Sequence, residues 1–209
     1  MCAADTAPNG KYQLSVRIIG GILPCFINSP WVASHSVRKH NTWRASPFAT
    51  ASIAAITEPP GISTLPDDVR EQWQAECFTR DWDAEDFSWG RIELERQMEF
   101  VGLAARAGVR VVAGTDTPNP FVLPGQSMHD ELELLVGSGL TPMQAIVAGT
   151  SQAAELLGLA DRIGAVKPGY CADLLVVRGD PASSITATRS VALVIKSGRI
   201  VWHDAGHEL

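Results

Sequence analysis

No stretch of this 209-residue chain approaches the ~20 consecutive apolar residues that a membrane-spanning helix needs, which argues against a helical membrane protein. Cysteine is equally sparse. Cys2, Cys25, Cys77 and Cys171 stand far apart and form no CxxC, so neither a zinc ribbon nor a disulfide scaffold is indicated. Cations are in deficit, with 17 Lys and Arg against 23 Asp and Glu, and the net charge is −6. Phosphate contacts need clustered Lys and Arg, so the chain is a poor candidate for nucleic-acid binding. Internal repeats and low-complexity tracts are missing too. The most local deficit is of acids: Thr6 to Thr57 contains none, while Lys11, Arg17, Arg38, Lys39 and Arg44 fall within it.

What is present divides the chain into three. Residues 1–60 keep neither a 2-residue nor a 3.6-residue apolar period, and only weak strand character near 14–27 and 51–57 can be read. The apolar run Ile18–Ile27 loosely resembles a signal-peptide core, but Gly20-Gly21 and Pro24 read better as the bounds of a buried strand. A cytoplasmic setting is favoured over export. From 61 to 164 the signals are those of alternating helix and strand. Pro66 with Asp67 and Asp68 opens a short helix to Ala75. An acidic loop is expected over 77–87. A helix over Ser88–Ala107 follows, with Ile92, Met98, Val101, Leu103 and Ala105 as its apolar side and Gly108 as its stop. Val109–Gly114 reads as a strand and Thr115–Ser127 as a loop. Met128, Leu132, Leu135 and Val136 mark one buried helix face. Thr141-Pro142-Met143-Gln144 carries a capping box, and a further helix from Thr150 or Ser151 ends at Gly158. Over 165–209 the pattern turns to β, with a strand at Ala172–Val177 and a hairpin of 191–196 and 199–203 across Ser197-Gly198.

The chemistry concentrates at Asp116, just past the Val109–Gly114 segment. A carboxylate beyond the C-terminal end of a parallel strand is where α/β barrels place catalytic groups. Such an Asp can ligate a divalent metal and carry a proton to a leaving nitrogen. An Asp ending a strand is also an ordinary turn residue. His129 opens the following helix, where it can contact substrate or hydrogen-bond a neighbouring loop. His35 and His40, five apart, share no helix face. His203 and His207 sit in a tail that reads as frayed, Arg106 and Arg110 read as surface charges, and Trp73, Trp82 and Trp89 as loop packing.

After Asp116 come Pro124-Gly125, Met128-His129-Asp130-Glu131-Leu132, Gly139-Leu140-Thr141-Pro142 and Ala148-Gly149-Thr150. Leu156-Leu157-Gly158-Leu159, Gly164-Ala165-Val166-Lys167-Pro168-Gly169, Ala172–Val177, Gly179-Asp180-Pro181 and Val194–Arg199 complete the series. In this order the motifs resemble the C-terminal portion of metal-dependent amidohydrolases, in particular their imidazolonepropionase-like and prolidase-like members. The likeness is specific from about Gly108 to Val201. It implies an α/β fold: the end of a (β/α)8 barrel whose last strand is 109–114, plus strands of a small β-sandwich domain. It implies Asp116 as the last metal-site residue, a divalent metal, usually zinc, and a small-molecule amide, cyclic amide or dipeptide as substrate. The family also needs an HxH pair, a bridging ligand and two further histidines, and this chain has no HxH. Some 110 residues before the last barrel strand leave room for two or three βα units, against a barrel of ~250 residues. The barrel is therefore expected to be incomplete. The alternative to a hydrolase is a catalytically incomplete chain, non-enzymatic or dependent on a complementary one. An incomplete barrel exposes unpaired strand edges, so self-association is expected unless residues 10–60 cover them.

Overall fold

The structure, a computed structural model, describes residues 61–75, 84–117 and 120–205. The strands expected within 1–60, together with His35, His40, Trp82 and His207, lie outside the described residues. The element order is a 3-10 turn Ile62–Thr64, α1 Asp67–Ala75, α2 Ala84–Arg106, α3 Gln126–Gly137, α4 Pro142–Gly149, α5 Ser151–Leu156, β1 Leu174–Val177, a 3-10 turn Ile185–Arg189, β2 Val191–Lys196 and β3 Arg199–His203. No helix among the described residues is long and apolar enough to cross a membrane.

Helix termini follow the local chemistry. Thr141 caps α4 by accepting the Gln144 N–H, and the Gln144 side chain accepts the Thr141 N–H in return, which satisfies two otherwise orphaned donors. At the end of α2, Gly108 takes a left-handed φ of 82°. Its N–H then reaches the Ala105 carbonyl while that of Val109 reaches Ala104, a Schellman stop. The same pair of bonds recurs at Gly139 and Gly158. Element boundaries also move: the third helix starts at Gln126, inside the expected Thr115–Ser127 loop, and the first strand at Leu174. The α2 helix begins at Ala84, so the expected acidic loop gives way to helix over 84–87. Its core-facing residues are Leu94, Val101 and Ala104, whereas Ile92 and Leu103 are exposed. Residues 94, 98, 101 and 105 are the stripe that a 3.6-residue period allows, and Ile92 and Leu103 fall off it.

The core gathers Val101 from α2, Val111, Leu132 and Leu135 from α3, Leu140, Ala145 and Ala148 from α4, and Ile185. Met128 and Val136 pack against it from α3 as the periodicity predicted. Val109–Gly114 is not a strand among the described residues, which corrects the expectation for this segment. A strand exists only through its ladder, and the long-range backbone bond of this segment runs from the Ala113 N–H to the carbonyl of Ala148 in α4. The sheet that is described is antiparallel, of order β1-β2-β3, with Leu175 opposite Val194 and Val194 opposite Trp202. Its β2–β3 turn is the expected Ser197-Gly198.

Helices α2 and α3 approach closely at Gly102, where an added Cβ would lie 2.2 Å from the Ser138 carbonyl oxygen. Gly→Ala inside an exposed helix stabilises by up to ~1 kcal/mol. Here the sign reverses: Gly102→Ala is expected to destabilise by about 1–3 kcal/mol through overpacking. A urea midpoint equal to or above that of the parent chain would contradict this close approach.

Candidate active site

The site is built on the turn that follows the Val109–Gly114 segment. Asp116 occupies it, partly buried, with a left-handed φ of 59°, uncommon outside glycine but better tolerated by Asp than by most residues, in surroundings that close the turn. The surroundings are visible in the flanking threonines. Thr115 Oγ1 and Thr117 Oγ1 lie 3.0 Å apart, and the Thr117 N–H donates to Thr115 Oγ1 at 3.4 Å, closing the turn around Asp116. Thr117 Oγ1 also lies 3.3 Å from Ser127 Oγ in the first turn of α3.

One turn further along α3, Glu131 is wholly buried. Its Oε1 accepts the Gly114 N–H at 3.3 Å, and its Oε2 is buried without a partner among the described residues. Removal from water pushes the carboxyl up from its ordinary 4.5 to about 8, the Gly114 N–H opposing this only in part. Glu131 was not singled out as a site residue by sequence reasoning. Its one signal was position: it stands four residues before Leu135, on the buried stripe of its helix, where a carboxylate does not belong without a task.

His129, half-buried on the same helix, makes a 3.0 Å bond through Nδ1 to Thr188 Oγ1. The single Thr188 hydroxyl proton is donated to the Ile185 carbonyl at 2.8 Å, so Nδ1 is the donor to Thr188. In the neutral ring the lone pair is then on Nε2. Burial, and secondly the Arg189 cation, lower the pKa of His129, with Asp130 and Glu133 opposing. Arg189 ties the segment to α3 through ion pairs with Asp130 and, at 2.6 Å, with Glu133. Arg110 pairs with Glu155 at 2.5 Å, as befits a surface charge. Trp73 is buried and meets Phe121 edge to face at 5.9 Å. Among the described residues no three His, Cys, Asp or Glu side chains come together as a metal site.

The family model of the amidohydrolase family matches residues 50–201. The imidazolonepropionase of Geobacillus kaustophilus is 33% identical over 102 residues, which cover 47% of this chain and 24% of that protein. The adenine deaminase of Nitratidesulfovibrio vulgaris is 32% identical over 142 residues, covering 62% of this chain and 23% of that one. Among solved structures, the bottromycin amidohydrolase superposes with a TM-score of 0.56 at 25% identity, over 74% of this chain and 33% of that chain. Over its matched length, then, the chain spans about a quarter of these curated relatives. With a family match over more than half its residues, the chain belongs to the amidohydrolase family.

Glu131 sets a pH dependence whose sign follows from its raised pKa. Between about 4.5 and 8 the native state holds a proton that the unfolded state has lost, so this group's contribution to stability declines as pH rises through that window. Glu131→Gln removes the decline. The variant is expected to gain on the parent chain from pH 5 to pH 8.5, by on the order of 5 kcal/mol at most. Urea midpoints at the two pH values measure it, and parallel profiles would contradict a neutral buried carboxyl.

Proposed function

We propose that this chain supplies the Asp116 end of a site that hydrolyses C–N bonds in small amides, cyclic amides or dipeptides. One observation carries the reading: a partly buried carboxylate, held in a constrained turn at the exit of the Val109–Gly114 segment, in a chain of amidohydrolase family. Hydrolysis adds water across the C–N bond. The water oxygen bonds to the carbonyl carbon, its proton passes to the Asp116 carboxylate, and Asp116 returns that proton to the nitrogen as the C–N bond breaks. The carboxylate ends unchanged, as a general base that becomes a general acid must. His129, with Nδ1 committed to Thr188, offers Nε2 as an acceptor for a substrate N–H.

Family resemblance assigns a divalent metal, zinc above others, to activating the water. A catalytic zinc takes about three protein ligands. The described residues offer no such group, so they do not fit the metal by themselves. The absence of any HxH in the sequence favours a second reading: the chain is catalytically incomplete and needs ligands from a complementary chain.

Two assays separate the readings. The chain alone, given zinc or manganese, is expected to show no turnover of dipeptides or cyclic amides above the blank. Residues 108–158, grafted in place of the corresponding segment of an imidazolonepropionase, are expected to leave it active. Asp116→Asn in the graft should then lower kcat/KM by roughly 10²–10⁴-fold, the usual worth of a proton-transfer residue. An Asn graft as active as the Asp graft would remove Asp116 from the chemistry. Turnover by the chain alone that vanishes in Asp116→Asn would show a complete site and overturn the second reading.

A further inference from the structure

We propose that Ser127 and Glu131, one turn apart on the buried face of α3, form a two-point clamp that grips both ends of the Gly114–Thr117 turn and so positions Asp116. Each end has its own contact: Gly114 N–H to Glu131 Oε1 at 3.3 Å, and Thr117 Oγ1 to Ser127 Oγ at 3.3 Å. The two gripping residues are 0% and 6% exposed, and are two of the four polar residues in the buried set. Between the grips, the Thr115 and Thr117 hydroxyls close on each other at 3.0 Å, and the residue they enclose carries the left-handed backbone.

Stability does not account for Glu131. A buried carboxyl with one backbone bond and a second oxygen without a partner among the described residues loses more in desolvation than a single hydrogen bond returns. A leucine would fill the place between Ser127 and Leu135 at no such cost. What leucine lacks is an acceptor for the Gly114 N–H. The consequence of that acceptor is positional. It fixes the segment two residues before Asp116, while Ser127 fixes it one residue after. A carboxylate that must take a proton and return it needs its backbone held to within ~0.5 Å of the productive place, and helices hold such points better than loops do.

Glu131 and Ser127 are thus positioning residues; neither is assigned contact with substrate. The assignment rests on the reading of Asp116 as the site carboxylate, but its test does not need activity. In the full chain, amide hydrogen exchange of Gly114 and the 13Cα and 13Cβ shifts of Asp116 are measured by NMR. Glu131→Gln, which keeps the acceptor, is expected to preserve both. Glu131→Leu is expected to speed Gly114 exchange at least tenfold and to move the Asp116 shifts toward coil values. Ser127→Ala is expected to move the Asp116 shifts and leave Gly114 protected. Should Glu131→Leu fail to fold, Glu131→Gln and Ser127→Ala carry the test. The clamp is overturned if Gln loses Gly114 protection, or if Ser127→Ala leaves the Asp116 shifts in place. It is equally overturned if a folded Leu variant leaves Gly114 protection unchanged. An inactive graft with the clamp signature intact would instead count against the hydrolase reading alone.

Discussion

The bond from the Gly114 N–H to a carboxyl shut away from water ties the candidate site to the core. Glu131 reaches Gly114 from a helix whose next stripe residue, Leu135, is completely buried among α2 and α4. That helix can therefore serve as a rigid reference for the Asp116 turn. The Schellman stop at Gly108 brings the chain out of α2 at a defined angle, and the Ala113 N–H then engages Ala148. With Val111 in the core, the segment is anchored on both sides before it reaches the candidate carboxylate. Beyond these anchors Asp116 carries its left-handed backbone.

The opposite edge of α3 serves a different purpose. Arg189 faces Asp130 and Glu133, and Thr188 faces His129, so the 3-10 turn before β2 is held against the site helix by charge and by hydrogen bonds. Ile185 adds an apolar anchor in the main core. The two titratable groups of α3 that shift most plainly do so from the same cause, burial, with opposite results for pH. The Glu131 contribution declines as pH rises toward 8. Neutral His129 loses stability on acidification below its unfolded value near 6.5, where the unfolded ring takes up a proton more readily.

Barrel enzymes distribute their catalytic groups over the ends of several strands. This chain matches about a quarter of the length of its curated relatives and carries one candidate carboxylate, Asp116, in the turn after Val109–Gly114. The matched relatives include both an imidazolonepropionase and an adenine deaminase.

Local chemistry made much of this fold legible. The Thr141–Gln144 capping box, the helix stops at Gly108 and Gly158, the α3 face of Met128, Leu132, Leu135 and Val136, and the Ser197-Gly198 hairpin all depend on residues within one or two turns of each other. Sequence spacing by itself determined them. The candidate Asp116 was legible for the same reason, from its place after a β-rich run. Other features were settled only in three dimensions. A strand over 109–114 required partners distant in sequence. The facing of α2 depended on which stripe α3 covered, and so Leu94 and Ala104 turned inward while Ile92 and Leu103 did not. The role of Glu131 depended most on tertiary structure. Its burial and its grip on Gly114, 17 residues away, depend on parts of the chain distant in sequence, and a side chain's protonation follows the water it loses, which only packing decides.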